Sequence, residues 1–193
     1  MPVHTFRSEL ILGGQKSGKS RRAEQLAADW LAASPAHRAV FIATAQPWDD
    51  EMRVRIARHQ SDRAERVPGM ATVEEPLRLG EAIAQHSRAD TLVVVDCLTL
   101  WLTNLLMPPD FEEKRPAAQE VPAPVAIFLE VITQAPGPLI LVGNEIGLGV
   151  IPLGREVRAF VDALGSLNQQ VAQRCQRVTL MAAGLPLSLK GAA

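Results

Sequence analysis

The run Gly13-Gly14-Gln15-Lys16-Ser17-Gly18-Lys19-Ser20 constrains this chain more than any other stretch. It follows the apolar Leu10-Ile11-Leu12 and fits the pattern G-x-x-x-x-G-K-S where a short strand would turn into a helix. A phosphate-binding loop needs that context. Glycines let the backbone curl so that successive N–H groups point inward, and the following helix adds its positive end. Lys19 is then expected to reach the β- and γ-phosphates of a nucleotide, and Ser20 to ligate Mg²⁺. A glycine-rich turn that merely contains Lys-Ser is the plain alternative. The flanking strand and helix patterns favour the phosphate loop, and with it a nucleoside triphosphate as ligand.

A length of 193 residues leaves room for one complete core and little more, so one domain spanning 1–193 is expected. With 20 Lys+Arg against 21 Asp+Glu, the charge gives no reason to expect nucleic acid or an anionic membrane as partner. Cys97 and Cys175 stand far apart without metal-ligand spacing and suit a reducing cytoplasm. Met1 to Arg7 lacks an apolar signal core, and no stretch reaches the roughly twenty apolar residues that span a bilayer. A soluble cytoplasmic protein is the expectation.

Ala23, Leu26, Ala27, Trp30 and Leu31 recur at helical spacing and predict a helix over 20–33. Ala39 to Thr44 reads as a buried strand, ending on small residues where open α/β sheets face their ligands. Asp49-Asp50-Glu51 opens a helix reaching Arg66, with Met52, Ile56 and His59 along its inner stripe. Arg55, His59 and Arg63 recur every four residues, which puts an imidazole between two cations on one face. Ala71 to Glu75 is a short strand and Leu77 to His86 a short helix. Thr91 to Asp96 is a β-branched run ending in an acid, as a central parallel strand would be. Asp96 would emerge beside the loop as a second Mg²⁺ partner.

Leu98 to Leu106 predicts a helix buried through Trp101, Leu102 and Leu105. The proline-rich stretch 107–124 reads as an exposed connection, followed by a helix over 125–134 and a buried strand from Leu139 to Glu145. A long helix over 156–174 is expected to bury Val157, Phe160, Val161, Leu164, Leu167, Val171 and Ala172. Arg177 to Ala182 and Leu185 to Leu189, joined by Gly184, suggest an antiparallel edge hairpin. The expected fold is α/β: a P-loop NTPase of RecA-like form, its mostly parallel sheet flanked by helices and closed by that C-terminal hairpin.

Among P-loop chemistries, a switch GTPase would show Asn-Lys-x-Asp after a late strand, whereas this one ends Asn144-Glu145-Ile146-Gly147. A motor ATPase couples to a large partner or polymer that a compact, nearly neutral chain does not advertise. A small-molecule kinase remains. The loop, Ile42-Ala43-Thr44, Asp49 to Met52 with Arg55, Ile56 and His59, Asp96 to Trp101 with Asn104, and Asn144-Glu145 with Gly147 and Gly149 then point further. With Arg158 to Asp162, Gly165, Asn168-Gln169 and Ala183 to Pro186, they resemble the bifunctional adenosylcobinamide kinase / adenosylcobinamide-phosphate guanylyltransferase family of cobalamin biosynthesis.

The resemblance implies a kinase step on the aminopropanol arm of adenosylcobinamide with ATP or GTP as substrate. It implies a second step in which GMP passes from GTP through a histidine to the new phosphate. It identifies His59 as that histidine, while Lys19 of the phosphate loop is expected as the other catalytic residue. It also implies nucleotide contacts at Ala43, Thr44, Ala45, Gln60, Ser61, Asp62, Arg63, Glu74 and Asp96, besides the loop, and a homo-oligomer, expected as a trimer. From spacing alone His59 reads as a half-buried helix histidine between solvated arginines. A neutral imidazole is nonetheless a competent nucleophile toward phosphorus, and neighbouring cations would offset phosphate charge as it attacks. A plain small-molecule kinase and a GTP-binding regulatory subunit are the alternative readings.

Overall fold

The computed structural model describes residues 7–47, 49–107 and 122–191. In chain order it runs β1 (Ser8–Gly13), α1 (Lys19–Ala33), β2 (Arg38–Ala43), α2 (Asp50–Arg66), β3 (Ala71–Glu74), α3 (Leu79–His86) and β4 (Thr91–Asp96). It continues with α4 (Leu98–Leu106), α5 (Pro122–Gln134), β5 (Leu139–Asn144), α6 (Arg155–Arg174), β6 (Arg177–Ala182) and β7 (Leu185–Lys190). The strands form one sheet in the order β3-β2-β4-β5-β1-β6-β7. All neighbours pair in parallel except β6 and β7, the expected edge hairpin.

Parallel strands joined by helices must be covered on both faces, and β1, β4 and β5 are buried along nearly their whole length. Successive side chains alternate between the two faces. Leu10, Leu12, Val93, Val95, Leu139 and Leu141 meet α3, α4, α5 and α6 on one side. Ile11, Val94, Ile140 and Val142 meet Ala23, Leu26 and Ala27 of α1 on the other. That second face is thinner, because α2 buries only Arg63.

Two expectations change. The helix expected from Val125 begins at Pro122, since proline is tolerated in a first turn whose N–H groups have no intrahelical acceptor. The rest of the proline-rich stretch, 108–121, lies outside the described residues. Val157, expected in the core, is 51% exposed, and the buried stripe of α6 is Leu164, Leu167 and Val171. The turn has little to pack on because the segment leading into it is itself exposed, with Leu148, Val150, Ile151 and Leu153 all facing out.

The thicker face is centred on Trp101. Its side chain is fully buried, its indole N–H donates to the Leu77 carbonyl at 2.9 Å, and its ring meets Phe128 edge-on at 4.9 Å. Trp101→Ala is expected to cost about 3–5 kcal/mol of unfolding free energy, read from denaturant melts. A loss below about 1 kcal/mol would show that this face tolerates the cavity.

Candidate active site

The site is built where β1, β4 and β2 reach their C-terminal ends. The chain leaves β1 at Gly13 (φ 154°), passes Lys16 (φ 56°) and enters α1 after Gly18 (φ 100°). A Cβ on Gly13 would stand 2.5 Å from the Met181 carbonyl oxygen and 2.6 Å from Ser17 Oγ, so no larger residue fits. The back of the loop leans on the β6–β7 turn, where the Gly184 N–H donates to the Ser17 carbonyl at 3.1 Å. A Cβ on Gly18 would meet Gly184 Cα at 3.3 Å. Gly14, Gln15 and Lys16 stay exposed on the front. No side chain caps α1, so its first N–H groups are available to an anion.

Lys19 is buried and its ammonium donates to the Gly14 carbonyl at 2.6 Å. Burial lowers its pKa; Asp96 and Cys97 act against that shift and Arg55 adds to it. The Ser20 hydroxyl donates to Asp96 Oδ2 at 2.6 Å, joining the start of α1 to the end of β4. Burial raises the Asp96 pKa, opposed by the Ser20 hydrogen bond and the charges of Lys19 and His59.

Thr44 is fully buried and its hydroxyl is used structurally. It donates to the Cys97 carbonyl at 2.8 Å and accepts the Cys97 N–H at 2.9 Å. Asn104, also buried, donates to the carbonyls of Thr44 and Pro76. These bonds fix the tips of β2 and β4 relative to each other. Ala43 and Ala45 flank Thr44 and are partly exposed.

Helix α2 is capped by Asp49, which accepts the Met52 N–H at 2.6 Å. Met52, Ile56 and His59 form the expected half-buried stripe. Arg55 acts electrostatically on Lys19 and His59 on Asp96, so this part of α2 lies near the loop. Arg63 differs from the expected solvated cation. It is 6% exposed, with its guanidinium 3.7 Å above the Phe41 ring and Nη2 donating to Thr72 Oγ1 at 3.4 Å. The ring face attracts the cation and the core shields it. Gln60 and Ser61 are exposed; Gln60 donates to Glu74 at the tip of β3 at 3.3 Å, and Asp62 pairs with Arg66 at 3.4 Å.

Reading the sequence residue by residue did not reveal two supports. One is the Gly184–Ser17 contact, which depends on β6 lying beside β1 and has no local signal. The other is Glu24, 4% exposed, whose carboxylate takes Arg66 of α2 at 2.9 Å and ties that helix to α1. An acid on the apolar side of α1 was the only available cue.

Since Asp96 has a raised pKa in the fold, its ionisation opposes stability as pH climbs from the ordinary carboxylate range through that raised value. Asp96→Asn, without nucleotide, should melt higher than wild type at pH 7, with the gain vanishing in acid. Calorimetry across pH checks this, and an unchanged melting temperature at pH 7 would contradict it.

In structure, the chain is similar to flagellar accessory protein FlaH from Methanocaldococcus jannaschii, at TM-score 0.51 and 11% identity, covering 96% of this chain and 78% of that one. That likeness concerns the fold alone. In sequence, it is 48% identical over 184 residues to the bifunctional adenosylcobalamin biosynthesis protein CobP of Pseudomonas aeruginosa, covering 95% of this chain and 97% of that protein. It is 34% identical to the bifunctional adenosylcobalamin biosynthesis protein CobU of Escherichia coli, over 94% of this chain and 98% of that protein. Residues 9–189 match the family model described as cobinamide kinase / cobinamide phosphate guanyltransferase. The chain belongs to that family.

Proposed function

We propose that this chain phosphorylates adenosylcobinamide with ATP or GTP and then converts the product to adenosylcobinamide-GDP through a GMP adduct of His59. Both steps run in a single domain on one phosphate loop. What supports the reading is the placement of α2, tied by Arg66 to Glu24 of α1, the helix that follows the loop, and carrying His59 on its half-buried stripe, where it acts electrostatically on Asp96. On this reading the nucleophile and the phosphate loop belong to one site.

In the kinase step the loop N–H groups and Lys19 hold the β- and γ-phosphates, leaving the γ-phosphorus open to the acceptor alcohol. In the second step a ring nitrogen of His59 forms a bond to the α-phosphorus. The bond to the bridging oxygen breaks and pyrophosphate departs. The GMP then passes to the phosphate of the acceptor, restoring the imidazole. Contacts from Ala43, Thr44, Ala45, Gln60, Ser61, Asp62, Arg63, Glu74 and Asp96 are assigned to the nucleotide, with Thr44 and Arg63 acting through backbone and charge because their side chains are engaged inside.

Reaching the α-phosphate asks α2 to approach the loop. Its fastenings to other elements suit such a movement, since they include the Arg66–Glu24 pair, the Gln60–Glu74 contact and Arg63 on Phe41 and Thr72, with little apolar packing.

Ser20 and Asp96 offer a hydroxyl and a carboxylate, hard oxygen donors that fit Mg²⁺, which takes few protein ligands beside phosphate and water. When bound, the ion would offset phosphate charge and the cost of burying Asp96. A trimer is proposed as the assembly, supported by the edge strand β7, which exposes Leu185, Leu187 and Leu189 along one face. The cytoplasm is proposed as its location. No helix among the described residues is long and apolar enough to cross a membrane.

The test uses GTP labelled at the α-phosphate. Wild type should acquire acid-labile, base-stable label, and His59→Ala none, while His59→Ala keeps cobinamide phosphorylation within about threefold of wild type. Lys19→Ala should lower both activities by roughly a hundredfold or more. Loss of both activities in a folded His59→Ala protein would remove the assignment of His59 to the second step.

A further inference from the structure

The register of the sheet places one more carboxylate at the site. Strand β5 lies between β4, which ends at Asp96, and β1, which ends at Gly13. Asp96 pairs with Val142 and Gly13 with Asn144, so Glu145 is the first residue to emerge beyond β5, between the acid and the loop. Its N–H donates to the Gly13 carbonyl at 3.1 Å, which fixes its backbone to the root of the phosphate loop.

The carboxylate is held by neutral donors. Oε1 accepts the Gly147 N–H at 2.9 Å and Oε2 accepts Asn168 Nδ2 at 3.4 Å. Asn168 is 4% exposed, and it also donates to the Asn144 carbonyl at 3.1 Å. Of the other acids around the loop, Asp96 accepts from Ser20 and is proposed for Mg²⁺, Glu74 accepts from Gln60 and is proposed for the nucleotide, and Glu24 is paired with Arg66. Each Glu145 oxygen retains a lone pair for a further donor. Beyond it, Leu148, Val150, Ile151 and Leu153 present apolar surface to anything large approaching this end of the sheet.

We infer that Glu145 is the general base of the kinase step, accepting the proton of the acceptor alcohol, with Asn168 as its positioning residue. This rests on the kinase reading above. The alcohol oxygen forms a bond to the γ-phosphorus as the bond from γ-phosphorus to the bridging oxygen breaks. The electron pair of that bond leaves with the nucleoside diphosphate, and the alcohol proton passes to a Glu145 oxygen and then to water. The guanylyl step makes no use of Glu145, because its nucleophile is a ring nitrogen.

Glu145→Gln keeps the side-chain volume and an oxygen for the Gly147 N–H. It should lower the kcat of cobinamide phosphorylation about 10²–10⁴-fold while leaving the nucleotide KM within about threefold. Labelling of His59 by α-labelled GTP should stay within about threefold of wild type, which also reports an intact fold and loop. Asn168→Ala should lower kinase kcat about tenfold with labelling retained. Kinase turnover in wild type that survives above about a tenth in Glu145→Gln would overturn the inference alone. Equal loss of labelling in that variant would overturn it as well, by making Glu145 a support of the whole loop. Nucleotide binding without any kinase turnover in wild type would overturn the functional reading, and this inference with it.

Discussion

The hydrogen bond from Ser20 to Asp96 joins residues 76 positions apart, and the rest of the site depends on it. One partner opens the helix after the phosphate loop and the other ends a central strand. They meet only because β5 separates β4 from β1 in a parallel sheet covered on both faces. The arrangement has a cost, since burial opposes ionisation of Asp96 and protonation of Lys19 alike. On the proposed reading, the phosphates of a nucleotide and a Mg²⁺ ion would bring the charges that offset it. Perturbed acids and bases gathered in this way mark a place built for chemistry rather than for stability.

The two sides of the site are fastened differently. The loop is wedged between β1, α1 and the β6–β7 turn, where glycines at 13 and 18 admit no Cβ without a clash or a tight contact. Helix α2 contributes no fully buried apolar side chain of its own and is tied to its neighbours through Arg66 on Glu24, Gln60 on Glu74 and Arg63 on Phe41. A tightly wedged loop beside a helix with few apolar anchors suits the proposed roles of Lys19 and His59, in which one site addresses both the γ- and the α-phosphorus of a nucleotide. Gripping the β-phosphate between them leaves either end open.

Much of this could be read from the chain because the signals are local. Gly13 to Ser20 carries its loop in eight residues, the run Thr91 to Asp96 announces a buried strand with a terminal acid, and Met52, Ile56 and His59 give their shared face by spacing. Arg63 misled because helical spacing fixes direction but not what lies opposite, here the Phe41 ring. Val157 misled because amphipathic spacing continues past the point where α6 has a partner to pack on. The Gly184–Ser17 bond and the place of Glu145 between Asp96 and Gly13 follow from strand order, which no local pattern encodes.

The central claim is that one phosphate loop serves both transfers, and equilibrium binding with folded His59→Ala protein tests it most directly. In the presence of Mg²⁺, the account predicts one nucleotide per chain, with GTP and a non-hydrolysable ATP analogue displacing each other fully. Two nucleotides bound at once to each chain, with the ATP analogue failing to displace GTP, would contradict it.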